Sequence, residues 1–127
     1  MLVVGTDVRL RADLERIGRE LGLAVSFVEE LRQALLAIET TRFDVVILGA
    51  GDHLRDEIAQ VEAIDERLAI LAVVTSEDPE TIAAAFRAGA EDVLSMPLNA
   101  HELSAAIGRT FGPVPVEPGL ASPDRLN

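Results

Sequence analysis

The sequence predicts a doubly wound α/β domain, a five-stranded parallel sheet in strand order 2-1-3-4-5 with helices on both faces. Three observations predict it. Short β-rich runs alternate five times with amphipathic stretches of helical period. Two of those runs, residues 45–48 and 68–74, are apolar at consecutive positions, which demands cover on both faces, as in the interior of a parallel sheet. The connections are short, and right-handed crossovers then leave few topologies.

Leu2-Val3-Val4 is the first strand, and Leu10, Leu14, Ile17 and Leu21 follow at helical spacing among charged residues, with Gly22 as the stop. Residues 24–28 form a second strand; Leu31, Ala34, Leu35 and Ile38 mark a second helix up to Thr40-Thr41. After the third strand comes a polar loop, then a helix with a stripe of Ile58, Val61, Ala63 and Ile64. The fourth strand leads through Thr75-Ser76 to a helix with Asp78 as N-cap, Pro79 at its first position, an inner face of Ile82, Ala85 and Phe86, and an end at Ala88-Gly89. Asp92-Val93-Leu94-Ser95 is the fifth strand. Asn99 and Glu102 have capping-box spacing before a last helix whose inner face is Leu103, Ala106, Ile107 and Phe111. Periodicity stops at Gly112, so the domain is expected over 1–111, with a proline-rich linker or disordered tail over 112–127.

Composition removes several function classes. The 127 residues are 49% hydrophobic, enough for one aliphatic core and too few for two domains. With 22 acidic against 11 basic residues the net charge is −11, which opposes direct nucleic-acid binding and contact with anionic membranes. No Trp or Tyr offers a stacking platform, and no Cys offers a thiolate, a disulfide or a zinc ligand. Residues 1–5 carry no basic n-region and no apolar run approaches a membrane span, so a cytoplasmic location is expected.

In such sheets ligands meet the carboxyl ends of the strands. Those ends carry Gly5-Thr6-Asp7, Gly49-Ala50-Gly51-Asp52, Thr75-Ser76 and Ser95-Met96-Pro97. Gly49-Ala50-Gly51 is no dinucleotide fingerprint, because position 54 is Leu54, and no Gly-Lys-Ser/Thr follows it. Asp52-His53 is half a metal site with no second His near it, since His101 belongs to the last helix. Thr75-Ser76 has no His or Lys at a neighbouring strand end to activate it as a nucleophile.

Periodicity alone supports a flavodoxin-like fold. The chain further resembles the receiver domains of bacterial two-component response regulators over residues 1 to about 111. The resemblance rests on Leu2-Val3-Val4, Arg11 and Leu14, Phe43-Asp44-Val45-Val46-Ile47-Leu48, Val74-Thr75-Ser76, Ala88-Gly89-Ala90-Glu91-Asp92 and Met96-Pro97-Leu98. It implies a phosphorelay switch: an aspartate ending strand 3 accepts a phosphoryl group from a histidine kinase, and an acidic pair ending strand 1 holds Mg²⁺. A Thr or Ser ends strand 4, and a Lys precedes a cis proline after strand 5. Carried over, the acidic pair falls on Gly5 and Thr6, the acceptor on Gly49 and the lysine on Met96. Only Thr75 and Pro97 are kept. The aromatic residue often found on strand 5 falls on Val93.

The expected function is therefore that of an atypical receiver, or pseudo-receiver: a non-enzymatic signalling module without cofactor or metal. It would regulate through protein contacts, as a homodimer or as the N-terminal domain of a larger response regulator. The resemblance places docking on the face of helix 4, strand 5 and helix 5, here Arg87, Glu91, Val93, His101, Glu102 and Arg109. The alternative is a rearranged phosphoryl-accepting switch using Asp52 with Asp7. Asp44 and Asp92 begin their strands, and five residues of strand put Asp44 roughly 17 Å from the other end. A third option is a small-ligand site walled by Gly5, Gly49, Thr75 and Met96. The Met96–Pro97 bond is expected to be cis.

Overall fold

The computed structural model describes residues 1–75 and 77–111. Ser76, the side chains of Thr110 and Phe111 and the proline-rich segment 112–127 lie outside the described residues. The chain forms β1 (Leu2–Val4), α1 (Val8–Leu21), β2 (Ser26–Val28), α2 (Leu31–Thr40), β3 (Val45–Gly49), α3 (Leu54–Ile64), β4 (Ala69–Val74), α4 (Pro79–Ala88), β5 (Asp92–Ser95) and α5 (Ala100–Phe111). All pairings are parallel, in the order β2-β1-β3-β4-β5, as the sequence predicts.

Strand alternation divides the core into two layers. Val46, Leu48, Ile70 and Ala72 point to one face and pack with Ala34, Ile38, Leu54, Ile58, Val61 and Ala85 of α2, α3 and α4. Val45, Ile47, Ala69, Leu71 and Val73 point to the other and meet Leu10, Leu14 and Ile17 of α1 and Leu103 and Ala106 of α5. Sheet interiors buried on both faces explain why β3 and β4 read as unbroken apolar runs.

Helix ends follow their sequence signals. Gly22 and Gly89 close α1 and α4 at φ +70° and +118°, where a side chain would be strained. Asp78 precedes Pro79 at the start of α4, and its carboxylate accepts the Thr81 hydroxyl at 3.3 Å. The Asn99 side chain accepts the Glu102 N–H at 2.8 Å, forming the N-cap half of the expected capping box. The Met96–Pro97 peptide is cis, as the resemblance implies.

Three sequence expectations are corrected. The α3 stripe is Leu54, Ile58 and Val61 with the half-buried Ile64, whereas Ala63 is exposed, because the helix begins at Leu54 and its register turns Ala63 outward. Phe86 is 46% exposed and not on the inner face of α4, where Ala85 makes the close contact with the sheet. The second strand begins at Ser26, two residues later than expected, because β2 is an edge strand paired only with the three residues of β1.

Candidate functional site at the carboxyl edge of the sheet

Register brings the strand ends into one strip. Val4 pairs with Leu48, so Gly5 and Gly49 follow side by side; Val74 pairs with Ser95, so Thr75 and Met96 do the same. Backbone bonds extend the ladder past the strands: Gly5 N–H donates to Val28 O at 2.9 Å, Ala50 N–H to Val73 O at 2.8 Å and Met96 N–H to Val74 O at 3.0 Å. Strands about 4.8 Å apart place all four residues along one edge.

The strip supplies little for polar chemistry. Gly5 and Gly49 have no side chain, and Met96 packs half-buried against the layer under α1 and α5. Thr6 and Thr75 are exposed hydroxyls. Gly5 sits at φ +141°, a conformation that favours glycine, whereas a Cβ at either Gly5 or Gly49 would meet nothing within 4 Å.

The nearby carboxylates are placed apart. Asp7 is the N-cap of α1, its carboxylate accepting the Arg9 and Leu10 N–H groups at 2.9 and 3.3 Å. This role was legible, since an Asp just ahead of a periodic apolar series, here one that starts at Leu10, is an N-cap signal. Asp52 instead lines a groove of about 560 Å³ between α3 and α4, walled also by Arg55, Thr81, Ala84 and Ala88. Among the described residues no three His, Cys, Asp or Glu side chains gather as a metal site. Asp44 and Asp92 lie at the far edge, Asp44 O accepting Ala69 N–H at 3.1 Å and Asp92 opening β5.

His53 stands at the N-cap of α3, four residues before Glu57. Burial raises the Glu57 carboxyl above its ordinary range, and the positive charge of His53 partly offsets this. A carboxyl raised by folding disfavours the native state once both states are ionised, and the penalty disappears where both are protonated. Glu57→Gln is therefore expected to raise the urea midpoint at pH 7, with the difference shrinking to nothing at pH values below the ordinary glutamate range.

The face predicted for docking is partly assembled. Val93, His101, Glu102 and Arg109 surround one cavity of about 330 Å³ between β5 and α5, with Ala105 at its wall. Arg109 is committed by an ion pair that sequence reasoning did not anticipate: its Nε and Nη2 each lie 2.7 Å from Oδ2 of the nearly buried Asp92. Glu91 is exposed beside them, its N–H donating to Ile70 O at 2.8 Å. Arg87 is not brought to this cavity. It lines the α3–α4 groove, where it lies 3.9 Å from Glu80 and its carbonyl accepts from Arg55 at 3.4 Å. The reason is helical register, since Arg87 shares a side of α4 with Glu80 and Ala84.

The expected ligand site is likewise rearranged. A cavity of about 440 Å³ does include Thr75 and Met96, but its other walls are Arg9, Ala12, Asp13 and Pro97, not Gly5 and Gly49. The concavity lies on the α1 side of the strip.

Solved structures of the same architecture agree with this topology. NtrX from Brucella abortus superposes with a TM-score of 0.74 at 23% identity, over 87% of this chain and 26% of that one. The receiver domain of the sensor histidine kinase PA1611 from Pseudomonas aeruginosa gives 0.73 at 22%, over 87% and 95%. The chain has the receiver-domain fold. A CheY-like protein, TadZ, from Pseudomonas aeruginosa shares this receiver fold with a TM-score of 0.71 at 22% identity, over 90% and 94%. No protein-family model matches the sequence, and no curated protein matches it. Among the described residues no helix is long and apolar enough to cross a membrane.

Proposed function

We propose that this chain is a pseudo-receiver, a cytoplasmic and non-enzymatic signalling module that keeps the receiver fold and acts through protein contacts. The observation that carries the reading is the composition of the carboxyl edge: Gly49 at the end of β3, where the receiver resemblance puts a phosphoryl acceptor, Gly5 beside it, and Met96 before the proline. Glycine offers no nucleophile, and methionine cannot neutralise a transferred phosphoryl group. The PA1611 receiver is described with a magnesium ion coordinated in its active-site cleft. Here the matching strand end carries Gly5 and Thr6, and the next carboxylate along the chain, Asp7, is occupied in capping α1.

Output through contacts is supported by the β5–α5 cavity, whose rim carries His101, Glu102 and Arg109 around apolar Val93 and Ala105. A partner protein, a second copy or an output domain would dock on this face. NtrX, of which the fold covers 26%, illustrates a receiver fold within a longer chain.

Incubation with Mg²⁺ and acetyl phosphate, followed by intact-mass measurement, tests the reading. No added phosphoryl group is expected. A stable phosphorylated species that disappears in Asp52→Ala would contradict it and establish the rearranged switch.

A further inference from the structure

We infer that the cavity between α1 and the ends of β4 and β5 is a binding site for a small organic monocarboxylate with an apolar body. This goes beyond the protein-contact reading and does not depend on it. The cavity, about 440 Å³, is within the size range of small-molecule sites and lies at the strand ends where doubly wound sheets bind ligands. Its apolar surface comes from Met96, Pro97 and Ala12.

Its polar groups divide into committed and uncommitted. The Asp13 carboxylate accepts the Leu98 N–H at 3.3 Å and lies 3.5 Å from Arg16, so its charge is already partly balanced. Among the described residues, neither the Arg9 guanidinium nor the Thr75 hydroxyl has a side-chain partner. Arg9 offers a planar fork that matches a carboxylate, and Thr75 can donate to the same group.

The charge of the site selects a monoanion. A single uncommitted arginine beside Asp13 does not compensate a phosphate dianion, and position 96 supplies a thioether in place of an ammonium. That thioether is polarisable and adaptable, which suits an aliphatic or aromatic body laid over Met96 and Pro97.

Amide NMR of the full chain decides the matter with three probes: 4-phenylbutyrate, 4-phenylbutan-1-ol and acetate. Phenylbutyrate is expected to give saturable shifts centred on Arg9, Ala12, Asp13, Thr75 and Met96. The alcohol should bind about threefold to tenfold more weakly, the range of a charge-assisted bond at an exposed site, and acetate should not saturate. Ala12→Leu, an exposed helical substitution that fills the cavity, should abolish saturation. Arg9→Gln should reduce phenylbutyrate to the level of the alcohol. Absent or scattered shifts, shifts that survive Ala12→Leu, or equal binding of acid and alcohol would each overturn the assignment; unchanged spectra elsewhere verify that both variants are folded.

Discussion

Leu103→Ala is expected to lower the stability of the fold by about 2–5 kcal/mol, the largest effect of any substitution considered. Leu103 is fully buried on α5, packed in the layer with Leu94, Leu98 and Ala106, so truncation opens a cavity where α5 meets the sheet. Urea denaturation would register a lower midpoint at unchanged slope. The same helix is tied to β5 by Arg109 and Asp92, so the two anchors act on one interface. Adding Arg109→Ala to Leu103→Ala should therefore cost less than the sum of the single losses, because a loosened α5 no longer holds the guanidinium against Asp92. Strict additivity would mean that helix and ion pair stabilise independently, and the β5–α5 face would then be less rigid than a docking surface requires.

Gly5→Asp is expected to destabilise by about 1–3 kcal/mol, whereas Gly49→Asp should change stability by less than about 1 kcal/mol. Space does not distinguish them, since a Cβ at either position meets nothing within 4 Å. Backbone conformation does: Gly5 adopts φ +141°, whereas Gly49 continues β3 without a positive φ. A carboxylate could thus be placed at the end of β3 at little cost, while one after β1 is opposed by the backbone itself. Thermal denaturation of the two variants side by side checks this, and equal losses would refute the backbone argument. Gly49→Asp alone should still accept no phosphoryl group, because position 96 retains methionine and Gly5 supplies no metal ligand.

Much of this was legible in the sequence because it depends on local order. Continuous apolar runs identified β3 and β4 as interior strands, Gly22 and Gly89 marked helix ends, and the residues following each strand named the strip Gly5, Gly49, Thr75 and Met96. What was not legible depends on how helices rotate and on which side chains meet across the fold. Phe86 was assigned by helical spacing and Arg87 by the resemblance, but the turn of α4 exposes the first and sends the second to α3. The Asp92–Arg109 pair joins residues with nothing in the sequence between them to signal it. The cavity beside Met96 is closed by Arg9, Ala12 and Asp13, which in the sequence are only the positions between the apolar residues of the first helix.

The central claim is the proposal that the carboxyl edge performs no phosphoryl chemistry. An amide NMR titration with Mg²⁺ and then beryllofluoride, a phosphoryl mimic, tests it most directly; the absence of Trp removes the usual fluorescence readout. The account predicts no saturable shifts at Gly5, Asp7, Gly49, Asp52 or Thr75. Saturable, Mg²⁺-dependent shifts at Asp7, Asp52 and Thr75 would contradict it and make the chain a working switch.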